Sequence, residues 1–402
     1  MANAYLIDGV RTPIGSLGGS LSGVRADDLA AHVLASLLAR HPGLDPAHIT
    51  DVILGCANQA GEDNRNVARM ALLLAGLPAS VPGETVNRLC ASGMSAVANA
   101  ARGAKLGEGQ LYLAGGAEHM TRAPYALSKA PQPFGRTQEL FDTSLGWRFV
   151  NPRMKEKYGI DSMGQTAENV VELRKVSRED QDRFAADSQR KAAAARERGR
   201  FAEEIVAVPL PVVKGQPAGA FERDEFIRPD TTIEALAKLR PAFREGGSVT
   251  AGNSSGLNDG ACALLVASDE GVKQHSLEPK ARVIATAAAG VEPRTMGLGP
   301  VPATRKALGM ANLTLDQMDV IEINEAFAAQ VLACTRELGL ADSDPRVNPN
   351  GGAIALGHPL GMSGARLLLT AMRELHHGKG KYALCTMCVG VGQGMATVIE
   401  RV

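Results

Sequence analysis

The feature that most constrains the fold is a helical segment without a polar face. Residues 91–104 are almost entirely small or apolar, and glycine and alanine occur on several sides of the predicted helix. A helix of this kind has to be buried all round. Because its side chains are small, neighbouring layers can approach it closely. The segment therefore predicts a helix layer that is sandwiched between two sheets.

Strand-like and helical segments alternate on either side of a charged, proline-containing middle region. The strand candidates are residues 51–54, 111–114, 282–284, 320–322 and 382–385. Such alternation is typical of layered α/β units. The middle region, from Arg122 to about Gly247, contains an amphipathic helix that opens with a capping-box-like pair, Ser177 and Asp180. We interpret it as an insertion that is laid over the first α/β unit.

Composition excludes several functional classes. The 402 residues carry 43 Lys plus Arg and 43 Asp plus Glu, so the net charge is zero and gives no cationic footprint of a nucleic-acid binder. No apolar run is long enough for a membrane span, and the N-terminus lacks a signal segment. We therefore expect a cytoplasmic protein with neither nucleic-acid nor membrane partners. In that compartment its six cysteines are expected to be free thiols.

Cys90 is the first candidate for chemistry. It lies between the strand-like residues 85–87 and the predicted buried helix. A thiol at a helix N-terminus meets a partial positive charge and free N–H donors, which favour the thiolate and lower its pKa. The same donors can stabilise an oxyanion. For an isolated cysteine, however, a buried structural role is the more common one.

Three further segments contain candidates for chemistry. His358 lies in a glycine-rich turn before a predicted helix, where it can act as a base or hydrogen-bond donor, or simply shape the turn. Cys385 and Cys388 form a Cys-x-x-Cys pair, but the segment reads as a strand, so a redox or zinc role is disfavoured and Cys388 can instead face a site at the strand end. Asn324 and Glu325 follow another strand and offer an amide beside a carboxylate.

These residues lie in motifs that extend over the whole chain. The motifs are Asn87-Arg88-Leu89-Cys90-Ala91-Ser92-Gly93, Gly115-Gly116-Ala117-Glu118, residues 250–260, Asn324-Glu325-Ala326-Phe327, Gly357-His358-Pro359 and Cys388-Val389-Gly390. In this combination and order, the sequence resembles the thiolase family of acyl-CoA acyltransferases. Two rival classes share features with this sequence. A decarboxylating ketosynthase would carry a second histidine in place of Cys388, and a silent lipid-binding protein of this fold would not need Cys90, His358 and Cys388 together.

The resemblance implies a fold and an assembly. It implies an α/β five-layer αβαβα sandwich of two similar halves, with an inserted loop domain. The first half would comprise residues 1–118 and 250–270, the loop domain that binds CoA and the acyl chain residues 119–249, and the second half residues 271–402. The family further implies a homotetramer, an acyl-CoA substrate and coenzyme A as co-substrate, with no metal and no permanently bound cofactor.

The resemblance also implies roles for individual residues. Cys90 would be acylated, His358 would activate it, and Cys388 would move the proton on the acetyl-CoA carbon. The oxyanion sites would be the backbone of Cys90 and Gly390, and His358 with a water held by Asn324. CoA would contact Arg228 near the adenine and Ser255 near the pantetheine. The acyl tunnel would be lined by Met163, Phe243, Met296 and Phe327.

Within the family, the resemblance is strongest to enzymes that act on 3-oxoadipyl-CoA in aromatic-compound breakdown. It is carried by residues 142–152, 158–163 and 382–388. Acetoacetyl-CoA and general 3-ketoacyl-CoA thiolases remain alternatives. The sequence departs from common thiolases at Ser254, at Val391 and Gln393 in the last glycine-rich turn, and at Ser162, where many acetoacetyl-CoA enzymes carry histidine.

A 3-oxoadipyl chain ends in a carboxylate, which has to stay hydrated or meet a cation. Arg148, beside the single tryptophan of the chain, is the predicted partner, with Arg122 and Arg153 as reserves. The alternative is that Arg148 pairs with an acidic loop residue or supports a subunit contact.

Overall fold

The computed structural model of the chain describes residues 2–212 and 219–402. The strands are β1 (Ala4–Arg11), β2 (Gly15–Ser16), β3 (Asp51–Gly55), β4 (Gly83–Val86), β5 (Leu111–His119), β6 (Tyr125–Leu127), β7 (Leu140–Asp142), β8 (Val208–Pro209), β9 (Ala220–Phe221), β10 (Asn258–Ser268), β11 (Ala281–Gly290), β12 (Val320–Ile323), β13 (Tyr382–Val389) and β14 (Gln393–Arg401). The helices are α1 (Ala26–Ala39), α2 (Val67–Leu74), α3 (Ser92–Leu106), α4 (Pro152–Tyr158), α5 (Met163–Arg174), α6 (Arg178–Glu197), α7 (Ile233–Ala237), α8 (Asp269–Gln274), α9 (Pro300–Ala311), α10 (Ala328–Glu337), α11 (Ala353–Leu356) and α12 (Leu360–His377). None of these helices combines the length and the apolar character that crossing a bilayer requires.

The two halves repeat one order of strand pairing. In the first half, β3 pairs parallel with β5, β5 pairs antiparallel with β10, and β10 pairs antiparallel with β1. In the second half, β12 pairs parallel with β13, β13 pairs antiparallel with β14, and β14 pairs antiparallel with β11. The prediction of two similar halves is confirmed.

The two half-sheets meet at one seam. Strands β1 and β11 pair antiparallel over two residues, with Tyr5 opposite Arg282 and Leu6 opposite Ala281. The prediction of two separate sheets is therefore modified, because the described strands of both halves form one continuous sheet. Each of these strands is the last of its half-sheet, and their pairing covers two residues of each edge.

Three apolar clusters show the layering. Alternating residues of β10 point to opposite faces, so that Leu264 packs in the inner cluster and Leu265 in an outer one. The inner cluster contains α3 and α12, which lie between the half-sheets. Helices α1 and α2 cover the outside of the first half, and α9 and α10 cover the outside of the second. The result is the predicted five-layer αβαβα sandwich.

The helix that constrained the fold behaves as predicted. Most residues of α3 are buried, and its backbone lies directly against the start of α12. A Cβ atom added to Gly93 would lie 2.5 Å from the carbonyl oxygen of Gly361, and one added to Gly364 would lie 2.5 Å from the nitrogen of Met94. Only glycine permits this approach, which brings the first turns of both central helices to the same place in the molecule.

Residues 119–249 leave the sheet after β5 and return at β10, its direct neighbour. The insertion therefore leaves the strand order of the first half intact. Its helix α6 starts as predicted, because the hydroxyl of Ser177 accepts the N–H of Asp180 at 3.1 Å. The carboxylate of Asp180 does not complete a capping box but pairs with Arg336 at 2.8 Å. The division into three domains with these bounds stays a prediction.

Candidate active site

The loop that carries Cys90 is tied by its own side chains. Cys90 follows β4 and precedes α3, and Leu89 has a left-handed φ of +46°. The side chain of Asn87 accepts the N–H of Leu89 at 2.8 Å. The hydroxyl of Ser92 accepts the N–H of Arg88 at 2.9 Å and donates to the carbonyl of Leu89 at 2.6 Å. These bonds hold the strained turn that presents the thiol.

The protonation of Cys90 differs from the prediction. Cys90 is partly accessible, yet desolvation by the surrounding protein raises the pKa of its thiol to about 11. The N–H groups of Gly390 and of Cys90 itself lower that pKa only in part. The expectation of a lowered pKa is therefore wrong for the free protein, because burial outweighs the helix terminus. Cys90 rests as a thiol and needs a base when it attacks.

His358 is held in a defined orientation by three hydrogen-bonding neighbours. Its Nδ1 lies 2.6 Å from the hydroxyl of Ser363, which donates to the carbonyl of Pro359 at 2.7 Å. Its Nε2 lies 3.3 Å from the Asn324 amide, and its backbone N–H donates to Asn258 at 3.0 Å. Because the Ser363 proton is committed to Pro359, this network assigns the imidazole hydrogen to Nδ1 and leaves a lone pair on Nε2.

The imidazole of His358 is neutral at physiological pH. Burial, with the nearby positive charge of Arg366, lowers the pKa of His358 to about 3. Arg366 is itself buried and pairs with Glu322 at 3.2 Å. A neutral imidazole with a lone pair on Nε2 can accept a proton from a thiol as that thiol forms a bond to carbon.

Cys385 and Cys388 lie on opposite faces of β13. Cys385 packs in the inner cluster, where its sulfur donates to the carbonyl of Leu367 at 3.5 Å. Cys388 belongs to a different cluster, at the end of the strand. Burial and then the charge of the neighbouring Cys90 raise the pKa of Cys388 well above its ordinary value. Because the two thiols point to opposite faces of the strand, they form neither a disulfide nor half of a zinc site. Cys388 instead lies close to Cys90.

A cavity of about 380 Å³ opens at Cys90. Of the predicted site residues, Cys90, Gly390, Met163 and Arg148 line it. Residues that the sequence reasoning gave no role also line it, namely Ala57, Asn58, Asn87, Leu89, Glu118, Thr143, Ser144, Leu145, Gly146, Trp147, Ser162, Leu360 and Val391. His358, Asn324 and Cys388 are not among the lining residues, whereas Leu360, two residues after His358, is.

The predicted acyl-tunnel residues cluster beside Cys388. Met296, Phe327 and Cys388 are buried in one apolar cluster, against which Met163 packs. The ring of Phe243 lies perpendicular to that of Phe327 at a centroid distance of 6.1 Å. Met163 is the one member of this group that also lines the cavity at Cys90.

The two predicted CoA contacts, Ser255 and Arg228, differ in exposure. Ser255 is partly buried, and its N–H donates to the carbonyl of Ala326 at 3.0 Å, next to the predicted acyl-tunnel residue Phe327. Arg228 is exposed, with its guanidinium carbon 5.3 Å from the centroid of the Phe226 ring. Neither lines the cavity at Cys90, so their roles stay predictions.

Glu118 is a buried acid at the cavity wall. Its carboxylate accepts the N–H groups of Ala57, Asn58 and Gly361 at 2.9, 3.0 and 2.8 Å. Burial raises the pKa of Glu118 to about 7. It joins the first half to the start of α12. The motif that ends in Glu118 was visible in the sequence, but nothing in the pattern indicated this bracing role.

Cys56, Asp63 and Glu118 bring three metal-ligand types within 4.8 Å of one another. The Asp63 carboxylate accepts the N–H groups of Gln59 and Gly61 and the thiol of Cys56. Both oxygens of Glu118 also accept backbone N–H groups. The cluster therefore fixes the loop of residues 56–63. Its carboxylate oxygens are already occupied by hydrogen bonds, so the donor set does not fit a metal.

Comparison with known proteins agrees with this geometry. Residues 4–270 match the model of the thiolase N-terminal domain, and residues 277–401 match that of the thiolase C-terminal domain. The chain belongs to the thiolase family. It is 60% identical over 402 residues to the beta-ketoadipyl-CoA thiolase of Acinetobacter baylyi, with all of both chains covered. It is 61% identical over the same length to the 3-oxoadipyl-CoA/3-oxo-5,6-dehydrosuberyl-CoA thiolase of Escherichia coli, again with full coverage of both chains.

A solved thiolase-fold structure shows the same architecture. The acetyl-CoA acetyltransferase of Bacillus anthracis superimposes with a TM-score of 0.92 at 40% identity, covering 100% of this chain and 99% of that one. The match covers both half-sheets and the insertion. The chain is thus an acyltransferase of the thiolase family, and its departures from common thiolases can be placed on this frame.

Two of those departures lie in the wall of the thiolase cavity. Val391 has a left-handed φ of +62°, which is a rare conformation for a β-branched residue. Ser162 caps α5 by accepting the N–H of Gln165 at 3.4 Å, so its hydroxyl serves the helix. The third departure, Ser254, donates its hydroxyl to the carbonyl of Thr250 at 2.7 Å and lies outside that wall.

Proposed function

We propose that this thiolase cleaves 3-oxoadipyl-CoA with coenzyme A to give acetyl-CoA and succinyl-CoA. The observation that carries the proposal is a cavity lined by Cys90, Gly390 and Leu360, with Cys388 next to Cys90 and the His358–Asn324 pair in the turn before Leu360. The substrate follows from the full-length similarity to thiolases that are named for this compound. Coenzyme A is the co-substrate, and the groups of the protein that take part in the reaction are side chains and backbone N–H groups.

The first step forms a bond between the Cys90 sulfur and the C3 keto carbon. The thiol proton passes to Nε2 of His358, whose lone pair is available because Nδ1 carries the hydrogen. Negative charge develops on the C3 oxygen. The N–H groups of Cys90 and Gly390 already contact the sulfur, and we assign them as donors to that oxygen.

The second step breaks the C2–C3 bond. The electron pair of that bond passes to C2 and its thioester carbonyl, and C2 takes a proton from the Cys388 thiol to release acetyl-CoA. The His358 imidazolium and a water held by the Asn324 amide, whose nitrogen lies 3.3 Å from Nε2, donate to the enolate oxygen. A raised pKa keeps Cys388 protonated until this charge forms. Succinyl remains on Cys90 as a thioester.

The third step regenerates the free enzyme. The thiol of incoming coenzyme A gives its proton to the Cys388 thiolate, and its sulfur attacks the acyl carbon on Cys90. Cys90 leaves and recovers the proton held by His358, so succinyl-CoA departs and both cysteines are thiols again. Two thiols in two environments thus divide the nucleophilic and the proton-transfer work.

The test is a specificity scan with purified protein. We expect coenzyme A-dependent consumption of 3-oxoadipyl-CoA with acetyl-CoA and succinyl-CoA formed in equal amounts. Acetoacetyl-CoA and 3-oxohexanoyl-CoA serve as comparison substrates. A kcat/KM that is higher for either of them would support a general 3-ketoacyl-CoA or acetoacetyl-CoA thiolase instead. Absence of turnover with all three would indicate a silent acyl-CoA-binding member of the fold.

We further propose a homotetramer that works in the cytoplasm. The support for assembly is an apolar face on the hairpin of β6 and β7, where Tyr125, Leu127 and Leu140 are 71%, 57% and 63% exposed. A short hairpin outside the main sheet is marginal in water unless something covers it. The support for the compartment is that all six cysteines are free thiols.

A further inference from the structure

The cavity at Cys90 has a cation in its wall. Residues 143–148 of the insertion line it, and Arg148 is among them with Trp147. Arg148 is partly buried, and Cys90 and Gly390 line the same cavity. A guanidinium and the nucleophile therefore share one cavity wall.

Arg148 is held by neutral acceptors. Its Nη1 donates to the carbonyl of Thr143 at 3.3 Å, and its Nη2 contacts the carbonyl and the Oδ1 of Asn58 at 3.3 and 3.4 Å. No carboxylate lies within ion-pair distance of Arg148 in the described ranges 2–212 and 219–402. Three contacts leave at least two of its five N–H donors unused by these residues. The predicted alternative, an acidic loop partner, finds no support.

Arg122 and Arg153, the two alternative candidates for binding the carboxylate, differ from Arg148 in charge compensation and position. Arg122 pairs with Glu62, with its Nε 2.8 Å from the carboxylate, so its charge is already compensated. Arg153 is exposed on α4 and lies outside the cavity wall. Arg148 alone among the three combines a place in the wall with a charge that no described carboxylate compensates.

We infer that Arg148 binds the terminal carboxylate of the acyl chain and so selects dicarboxylic 3-oxoacyl-CoA substrates. The inference rests on the proposed thiolase function and deepens it. A partly buried guanidinium in a cavity wall gains from a carboxylate through charge-assisted, bidentate hydrogen bonds. In thiolysis this carboxylate belongs to the half that is transferred to Cys90. The contact is therefore kept from the substrate to the acyl-enzyme.

Asn58 is the positioning residue for Arg148. Its Oδ1 and carbonyl hold one end of the guanidinium, while its Nδ2 donates to the carbonyl of Thr143 at 3.3 Å. The N–H of Asn58 is in turn fixed by Glu118. Asn58 thus connects the first half of the fold to residues 143–148 and fixes the direction of the cation. No sequence motif marked it.

The first experiment compares kcat/KM for 3-oxoadipyl-CoA and uncharged 3-oxohexanoyl-CoA. Arg148→Met should lower the ratio of the two values by about ten- to a hundredfold. Arg148→Lys keeps the charge but loses the planar fork, so it should retain part of the preference. Arg153→Met, a matched loss of arginine outside the cavity, should keep the wild-type ratio. An equal loss on both substrates in Arg148→Met would overturn the inference.

The second experiment places a carboxylate inside the protein. Asn58→Asp puts an anion where Oδ1 now lies 3.4 Å from the guanidinium, so it should compete with the substrate carboxylate. We expect the charged substrate to lose its advantage about as far as in Arg148→Met. Asn58→Ala serves as the neutral comparison and should lower the ratio less. An unchanged ratio in a folded Asn58→Asp protein would contradict the placement of Arg148.

The outcomes separate the two proposals. Failure of wild type to cleave either substrate would refute the proposed function itself. A second outcome is that wild type cleaves both substrates efficiently and Arg148→Met keeps the preference for the charged one. That result would support the thiolase function and would show that Arg148 does not bind the terminal carboxylate. A preference lost in both Arg148→Met and Asn58→Asp supports the inference.

Discussion

At the scale of single residues, the site combines thiols that are protonated at rest with an imidazole that is neutral. Burial produces both states, since it raises the pKa of Cys90 to about 11 and lowers that of His358 to about 3. The identity of these residues was readable from motifs, but their protonation was not. Desolvation depends on which distant segments cover a side chain, here the turn at Gly390 and helix α12.

The pKa of His358 predicts a dependence of stability on pH. The unfolded chain binds a proton on this residue below pH about 6.5, while the folded protein binds it only near pH 3. Stability contributed by the neutral, buried ring is therefore full above pH about 6.5 and is lost as pH falls towards 3. Relative to His358→Gln, wild type should lose up to about 1.4 kcal/mol per pH unit below 6.5. Urea unfolding at several pH values measures this, and a pH-independent difference would contradict it.

Cys388→Ser should separate the half-reactions. Cys90 should still take up acetyl from acetyl-CoA, whereas exchange of the acetyl α-protons into deuterated solvent should fall by about a hundredfold or more. Cys385→Ser is the matched control on the opposite face of β13, and it should keep the exchange. Nuclear magnetic resonance of the recovered acetyl-CoA gives the rates. Exchange at the wild-type rate in Cys388→Ser would rule out its proton-transfer role.

At the scale of elements, the contact between α3 and α12 places the nucleophile and the histidine turn together. The composition of residues 91–104 was sufficient to predict a buried helix between layers, because a helix without a polar face has to be covered by protein on all sides. The seam between β1 and β11 was not predictable. It involves two residue pairs, and no hydrophobic pattern distinguishes it from an ordinary edge.

Gly93→Ala tests the close contact. The added methyl would lie 2.5 Å from the Gly361 carbonyl oxygen, so the central helices have to separate. We expect a net loss of about 1–3 kcal/mol in the free energy of unfolding, although alanine favours the helix. Gly309→Ala in α9 is the control, because nothing lies within 4 Å of its added methyl, and it should stabilise by about 0.5–1 kcal/mol. Equal effects of both changes on urea unfolding would contradict the packing argument.

At the scale of the whole molecule, duplication explains why the site lies where it does. Two copies of one α/β unit bring the end of β13, the start of α3 and the turn before α12 around one cavity. The order of motifs along the chain predicted this set of residues. It did not predict Asn58 or Glu118, since their roles arise from backbone contacts between the first half, the insertion and α12.

The exposed hairpin predicts a change of assembly. Replacing Leu127 and Leu140, which pair across β6 and β7, by aspartate should abolish the contact and convert a tetramer to a smaller species. Met310→Asp, at a residue of α9 that is 62% exposed, should leave the mass unchanged. Size-exclusion chromatography with light scattering gives the masses. An intact tetramer in the double variant would refute the role of the hairpin.

The most direct test of the central claim is the identity of the acylated residue. Wild-type protein is mixed with 3-oxoadipyl-CoA in the absence of free coenzyme A, quenched in acid, digested and examined by mass spectrometry. The account predicts a succinyl adduct on the peptide that contains Cys90, and no adduct in Cys90→Ala. An adduct confined to Cys385 or another cysteine, or turnover without any adduct on Cys90, would contradict it.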